Sequence, residues 1–207
     1  MNLQISFDVT DLEKALATAH QIAKFCDTIE LGTVLINKYG IEAVQAFKKA
    51  FPDKVILADT KIIDRGKMIA TVFAEAGANW ITVMAGTSNT VIHSACATAH
   101  NMGKKVMLDL LDAKSAGQSA MEAKNLGIDA LFFHSPHDEK DELLFLDNWE
   151  MVKENTELPI YVSAKINREN VDHILALKPA GIVVGTSIIT NENPDQEAQF
   201  YYNLVKK

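Results

Sequence analysis

The 207-residue chain is predicted to form an α/β fold, a single (β/α)8 TIM barrel, and three features predict it. Short apolar runs alternate with stretches of helical periodicity eight times along the chain. The runs are apolar at successive positions, the mark of parallel strands buried on both faces. No break in composition separates one βα unit from the next. Length alone would allow one domain or two, but eight unbroken units favour closure into one barrel over residues 1–207 rather than an open sheet.

The first strand, about 3–8, ends in Asp8 and leads to a helix over about 11–24. That helix has Leu12, Ala15, Leu16, Ala19, Ile22 and Ala23 on one face and Thr10 or Asp11 as its cap. Strand Thr28-Ile29-Glu30-Leu31 turns at Gly32-Thr33 into one helix running to about Ala50. The third strand, Val55-Ile56-Leu57-Ala58, closes on Asp59-Thr60-Lys61-Ile62-Ile63-Asp64. Its helix, about 66–76, ends at Gly77. Strands 80–84, 105–109 and 130–134 follow, with helices at about 88–101, 114–126 and 140–154. Strand 159–163, a helix at about 168–177, strand 181–184 and a helix at about 194–206 complete the series.

Composition narrows the function. With 27 acidic against 20 basic residues the formal net charge is -7, which argues against general nucleic-acid affinity. An anionic small substrate remains compatible, because helix amino termini and a single lysine bind phosphate locally. Cys26 and Cys96 are far apart without metal-ligand spacing, and buried free thiols are expected. No apolar run reaches the roughly 18 residues of a membrane span, and the amino terminus lacks a signal-peptide pattern. A cytoplasmic protein is expected.

Barrel chemistry sits where strands end and βα loops begin. Those ends carry Asp8, Glu30, Asp59 with Lys61, Asp109 and His134, followed by the Gly185-Thr186-Ser187 turn. Asp59 and Lys61 are two apart, so on a continuing strand they share a face. Two carboxylates around an ammonium keep all three groups charged. A structural ion pair is the plain reading of this cluster, and helix capping the plain reading of Asp8 and Asp109. Five ionisable strand ends on one rim read together as a site. His20, His93 and His100 fall on predicted helices and are assigned to surface or packing, as are Trp80 and Trp149.

The stretches Ile29-Glu30-Leu31-Gly32-Thr33, Leu57 to Asp64, Glu75-Ala76-Gly77-Ala78, Val106 to Leu110 and Val184-Gly185 resemble the orotidine 5'-phosphate decarboxylase-like suprafamily, with its Asp-x-Lys-x-x-Asp motif. Within it they are most similar to 3-hexulose-6-phosphate synthase and 3-keto-L-gulonate-6-phosphate decarboxylase. The resemblance implies Mg²⁺ held by Glu30 and Asp59, with oxygens of a phosphorylated ketose completing the shell. It implies that Lys61 and the metal stabilise an enediolate and that His134 transfers a proton. Asp109 matches an acidic catalytic position and Asp8 a substrate-binding one. Asp64 is implied to reach into a neighbour's site, which makes the protein a homodimer.

Aspartate at position 109 resembles the synthase, which condenses formaldehyde with D-ribulose 5-phosphate. The decarboxylase pattern has glutamate there and an arginine where this chain has His137. The seventh-strand loop, Val162-Ser163-Ala164-Lys165-Ile166, replaces a glycine pair that approaches phosphate in relatives. Side chains there are expected to restrict left-handed turns. Ser163, Lys165, Gly185 and Thr186 are the candidate phosphate ligands. The altered loop also motivates a third reading, a non-catalytic sugar-phosphate-binding barrel.

Overall fold

Eight parallel strands close on themselves in chain order in the computed structural model, which describes residues 1–136 and 148–206. They are β1 (Asn2–Phe7), β2 (Thr28–Leu31), β3 (Val55–Ile62), β4 (Trp80–Met84), β5 (Lys105–Asp109), β6 (Ala130–His134), β7 (Ile160–Ser163) and β8 (Gly181–Val184). Closure is made by β1 against β8, with Ile5 opposite Val184. The expected (β/α)8 TIM barrel is therefore the observed fold.

Strand residues divide by parity. Leu3, Ile5 and Phe7 of β1, Ile29 and Leu31 of β2, and Leu131 and Phe133 of β6 belong to the large core that the helices cover. The alternate set, Leu57, Met107, Ala130, Phe132, Tyr161 and Val183, packs as a separate cluster that fills the barrel interior. This double burial explains why the strands are apolar at successive positions. The interior is a packed plug, so a ligand must bind outside it, and in such barrels that is at the strands' carboxyl ends.

The helical layer comprises α1 (Leu12–Ile22), α2 (Thr33–Tyr39), α3 (Ile41–Ala50), α4 (Gly66–Glu75), α5 (Asn89–Asn101), α6 (Ala116–Leu126), α7 (Trp149–Glu154), α8 (Val171–Ala176), α9 (Thr186–Ile189) and α10 (Pro194–Val205). Asp11 caps α1 by accepting from the Lys14 amide, and Ser115 caps α6 by accepting from Gln118. Gly77 and Gly127 end α4 and α6 with φ of 109° and 93°, a conformation open to glycine at little cost.

The single helix expected from Thr33 to Ala50 is two. Gly40, with φ of 56°, interrupts the backbone ladder between α2 and α3. The helix expected from 168 begins at Val171 instead. Ahead of it, the Asn167 side chain accepts from the amides of Glu169 and Asn170, and Asn170 accepts from the Asn167 amide. These side-chain bonds hold a turn in place of a first helical turn. The short α9 was expected as a turn. Of the helix expected over 140–154, Trp149–Glu154 forms α7. His137 and most of the Ser135 to Leu146 loop lie outside the described residues.

Candidate active site

Asp59, Thr60 and Lys61 occupy a bulge. Ala58 pairs with Ile81 and Ile62 with Val83, so three residues of β3 stand opposite Thr82 alone. Lys61 takes φ of 42°, a left-handed conformation that costs a non-glycine residue about 1–3 kcal/mol and persists only where its surroundings enforce it. Asp59 and Lys61 meet as the two-residue spacing predicted, with Nζ 3.1 Å from Oδ2. They do so through the bulge rather than along a regular strand.

The Lys61 ammonium also lies 2.6 Å from Oδ2 of Asp109, which is fully buried at the end of β5. Burial alone would favour the neutral amine, but the Asp109 and Asp59 carboxylates outweigh it and hold the pKa above the usual lysine value. Oδ2 of Asp109 is 3.2 Å from Nδ1 of His134, and Oδ1 accepts from the Leu111 amide. Burial acts to raise the Asp109 pKa; His134 and Lys61 outweigh it and bring it down to about 2. The carboxylate is then ionised and cannot donate, so Nδ1 of His134 carries the proton. In neutral His134 this leaves Nε2 as the lone-pair nitrogen. The His134 ring stacks on Phe132, the top of the interior plug.

Glu30, buried on β2, is placed among like charges. Burial first, then the Asp59 and Asp8 carboxylates, push its pKa well above the usual range, while Gln4 and Lys61 oppose the shift. The Gln4 side-chain amide donates to it from β1. Both oxygens of Asp59 are engaged, Oδ1 by the Thr82 hydroxyl at 2.7 Å and Oδ2 by the Thr33 hydroxyl. Two buried carboxylates with excess negative charge are the donor set a divalent cation suits. Among the described residues no group of three or more His, Cys, Asp or Glu side chains is placed to hold a metal. Any ion here needs oxygens from water or substrate as well.

Asp8 meets its capping reading. Its carboxylate accepts from Ser6 Oγ at 2.9 Å and from the Val34 amide at the start of α2. Gly32 leaves room for that contact, because a Cβ there would sit 2.3 Å from the Asp8 carboxylate and displace it.

Ser163 follows His134 around the rim, paired with it in the β6–β7 register, and Gly185 begins the loop beyond β8. Side chains were expected to restrict left-handed turns here, yet Lys165 adopts one, with φ of 46°. Three ties hold the turn: Ser187 Oγ donates to the Ile166 carbonyl, the two asparagines lock residues 167–170, and Arg168 makes a bidentate pair with Glu197 of α10. Thr186 is exposed at the start of α9.

Asp64 stands apart from this cluster. Its side chain is 79% exposed, and among the described residues its polar partner is the neighbouring Arg65, whose amide lies 2.7 Å from Oδ1. Cys26 and Cys96 are free buried thiols, both pushed up to about 12, chiefly by burial, which disfavours the reactive thiolate near neutrality. Sequence reasoning missed Thr82, Thr33, Gln4 and Ser6, which partner the charged residues. Thr82 was the detectable one, a lone hydroxyl in an otherwise apolar strand.

Both the sequence and the fold have known relatives. The chain is 36% identical over 140 residues to 3-hexulose-6-phosphate synthase of Mycobacterium gastri, covering 68% of each sequence. It superposes on the crystal structure of 3-hexulose-6-phosphate synthase from Salmonella typhimurium with a TM-score of 0.94 at 26% identity, over 100% of this chain and 99% of that one. Against 3-keto-L-gulonate-6-phosphate decarboxylase from Vibrio cholerae the TM-score is 0.81 at 26% identity, over 97% and 96% of the two chains. A model of the orotidine 5'-phosphate decarboxylase / HUMPS family matches residues 1–201, and the chain belongs to that family.

Proposed function

We propose that the protein is a carbon–carbon lyase of the 3-hexulose-6-phosphate synthase type, condensing formaldehyde with D-ribulose 5-phosphate reversibly. One observation carries the reading: Lys61 is held as a fixed cation between Asp59 and Asp109, with His134 on the same Asp109 oxygen. That arrangement serves a reaction in which negative charge grows on a substrate oxygen while a proton is transferred nearby. A module that only bound sugar phosphates would have little use for it.

In the forward direction His134 takes a proton from C1 of the ketose, and the C2 carbonyl oxygen becomes the enediolate oxygen. Lys61 stabilises that oxygen. C1 then bonds to the formaldehyde carbon, and the former aldehyde oxygen becomes a hydroxyl by taking up the proton that His134 removed from C1. Glu30 and Asp59 would hold Mg²⁺, which polarises the substrate oxygens when bound. Ser163, Lys165, Gly185 and Thr186 are assigned to the phosphate, and Asp8 to the sugar hydroxyls.

Decarboxylation of 3-keto-L-gulonate 6-phosphate passes through a related enediolate and is the second reading, favoured by the likeness to the decarboxylase structure. The shorter acid at position 109 and the 36% identity to a synthase support the first. Parallel assays with D-ribulose 5-phosphate plus formaldehyde and with 3-keto-L-gulonate 6-phosphate test the choice. Turnover of the second alone would overturn the synthase reading.

We further assign a homodimer in which Asp64 serves the partner's site. Support comes from its outward position, beside exposed Ile63, Met68 and Val72 on the same loop and on α4. A reducing, cytoplasmic setting fits two free thiols.

A further inference from the structure

Thr82 sits at the centre of β4, completely buried, and is the single residue opposite the three-residue bulge of β3. Each bulge residue bonds to it. Its hydroxyl donates to Oδ1 of Asp59 at 2.7 Å and accepts from the Lys61 amide at 2.9 Å. Its carbonyl accepts from the Thr60 hydroxyl at 2.7 Å. One hydroxyl thus uses both its donor and its acceptor capacity to tie a carboxylate to the backbone of the lysine two residues away.

We infer that Thr82 is a positioning residue that sets the relative geometry of Asp59 and Lys61. The left-handed backbone at Lys61 needs an enforcing contact, and the Thr82 hydroxyl receives the amide of that very residue. The same hydroxyl fixes the rotation of the Asp59 carboxylate, with Thr33 holding the opposite oxygen. Without it, Asp59 loses a donor, the Lys61 amide loses its acceptor, and the bulge can relax toward a regular strand. Lys61 would then move relative to Asp109 and to substrate. This role rests on the proposed function for its effect on rate, but the geometric claim stands without it.

Thr82→Val preserves shape and removes the hydroxyl, while Thr82→Ser keeps the hydroxyl. Two readouts are taken on the full-length protein: amide hydrogen exchange at Lys61, and kcat and KM for D-ribulose 5-phosphate with formaldehyde. In Thr82→Val the Lys61 amide should exchange at least about tenfold faster, since its acceptor is gone. Its kcat should fall about 100-fold with little change in KM, the mark of misplaced rather than missing groups. Thr82→Ser should restore slow exchange and most of kcat. A merely structural hydroxyl would lower the melting temperature of Thr82→Val while leaving kcat and Lys61 exchange at wild-type values, and that result overturns the inference. If wild-type protein does not turn over this substrate pair, the proposed function fails, and the exchange comparison still decides the role of Thr82.

Discussion

The Lys61 ammonium and the Asp109 carboxylate lie 2.6 Å apart, although they project from strands β3 and β5 with β4 between them. The bulge lets Lys61 reach across, and Asp109 receives it while also holding His134. The pair joins the charge-stabilising group to the proton-transfer group through one buried oxygen.

Replacing Lys61 by alanine removes the fixed cation at the growing enediolate charge. The kcat should fall by on the order of 10²–10³, the loss typical of one electrostatic stabiliser. Steady-state kinetics on variant whose circular dichroism matches wild type checks this. Activity within a few-fold of wild type would place the stabilising charge elsewhere.

The Asp109 pKa, lowered to about 2, makes a signed prediction for acid stability. A carboxyl whose folded pKa is depressed contributes stability that is complete above its unfolded pKa of about 3.9. That contribution disappears as pH falls from about 4 toward 2, and is on the order of 2 kcal/mol. Urea unfolding across that window should show wild type losing its advantage over Asp109→Asn as pH drops. A gap that stays constant would mean that Asp109 is not held ionised by Lys61 and His134.

Glu30 and Asp59 repel each other when no metal ion is present, a repulsion that Lys61 only partly offsets. Glu30→Gln should therefore raise the melting temperature of chelator-treated protein near pH 7.5, while removing the stabilisation that added Mg²⁺ gives wild type. Differential scanning calorimetry with and without Mg²⁺ reads both effects. A variant still stabilised by Mg²⁺ as strongly as wild type would remove Glu30 from the metal set.

Lys165→Ala should raise KM for the phosphorylated ketose about tenfold, the equivalent of one charge-assisted hydrogen bond, with kcat little changed. Titration with inorganic phosphate as competitor should show the same weakening. Unchanged KM and phosphate inhibition would leave the phosphate to Ser163, Gly185 and Thr186.

The Asp64 assignment predicts complementation. Lys61→Ala and Asp64→Ala chains, each inactive alone, should form mixed dimers with one intact site. Refolding them together in equal amounts should restore roughly a quarter of wild-type activity. No recovery, with mixed dimers shown by native mass spectrometry, would confine Asp64 to its own chain.

Much of this was legible in the residues. β2, β4, β5, β6 and β8 fall at the expected positions because strands buried on both faces leave an unbroken apolar run. The rim residues were legible because charge at the end of such a run has few structural uses. Gly40 escaped notice because α2 and α3 continue one amphipathic pattern across it, and periodicity does not register a single backbone reversal. α9 spans four residues, too few for periodicity to show. The left-handed Lys61 and Lys165 were hidden for another reason. Neither residue type favours that conformation, and contacts from distant elements, Thr82 for one and Ser187 and Glu197 for the loop of the other, impose it.

If this rim makes a carbon–carbon bond, the carbon of [¹³C]formaldehyde must enter a sugar phosphate. Protein, D-ribulose 5-phosphate, Mg²⁺ and labelled formaldehyde are followed by ¹³C NMR, with chelator and Lys61→Ala samples as controls. The label is expected to move into a hydroxymethyl carbon of a hexulose phosphate in the wild-type sample, and both controls should abolish the transfer. A folded wild-type protein that leaves the formaldehyde signal unchanged would contradict it.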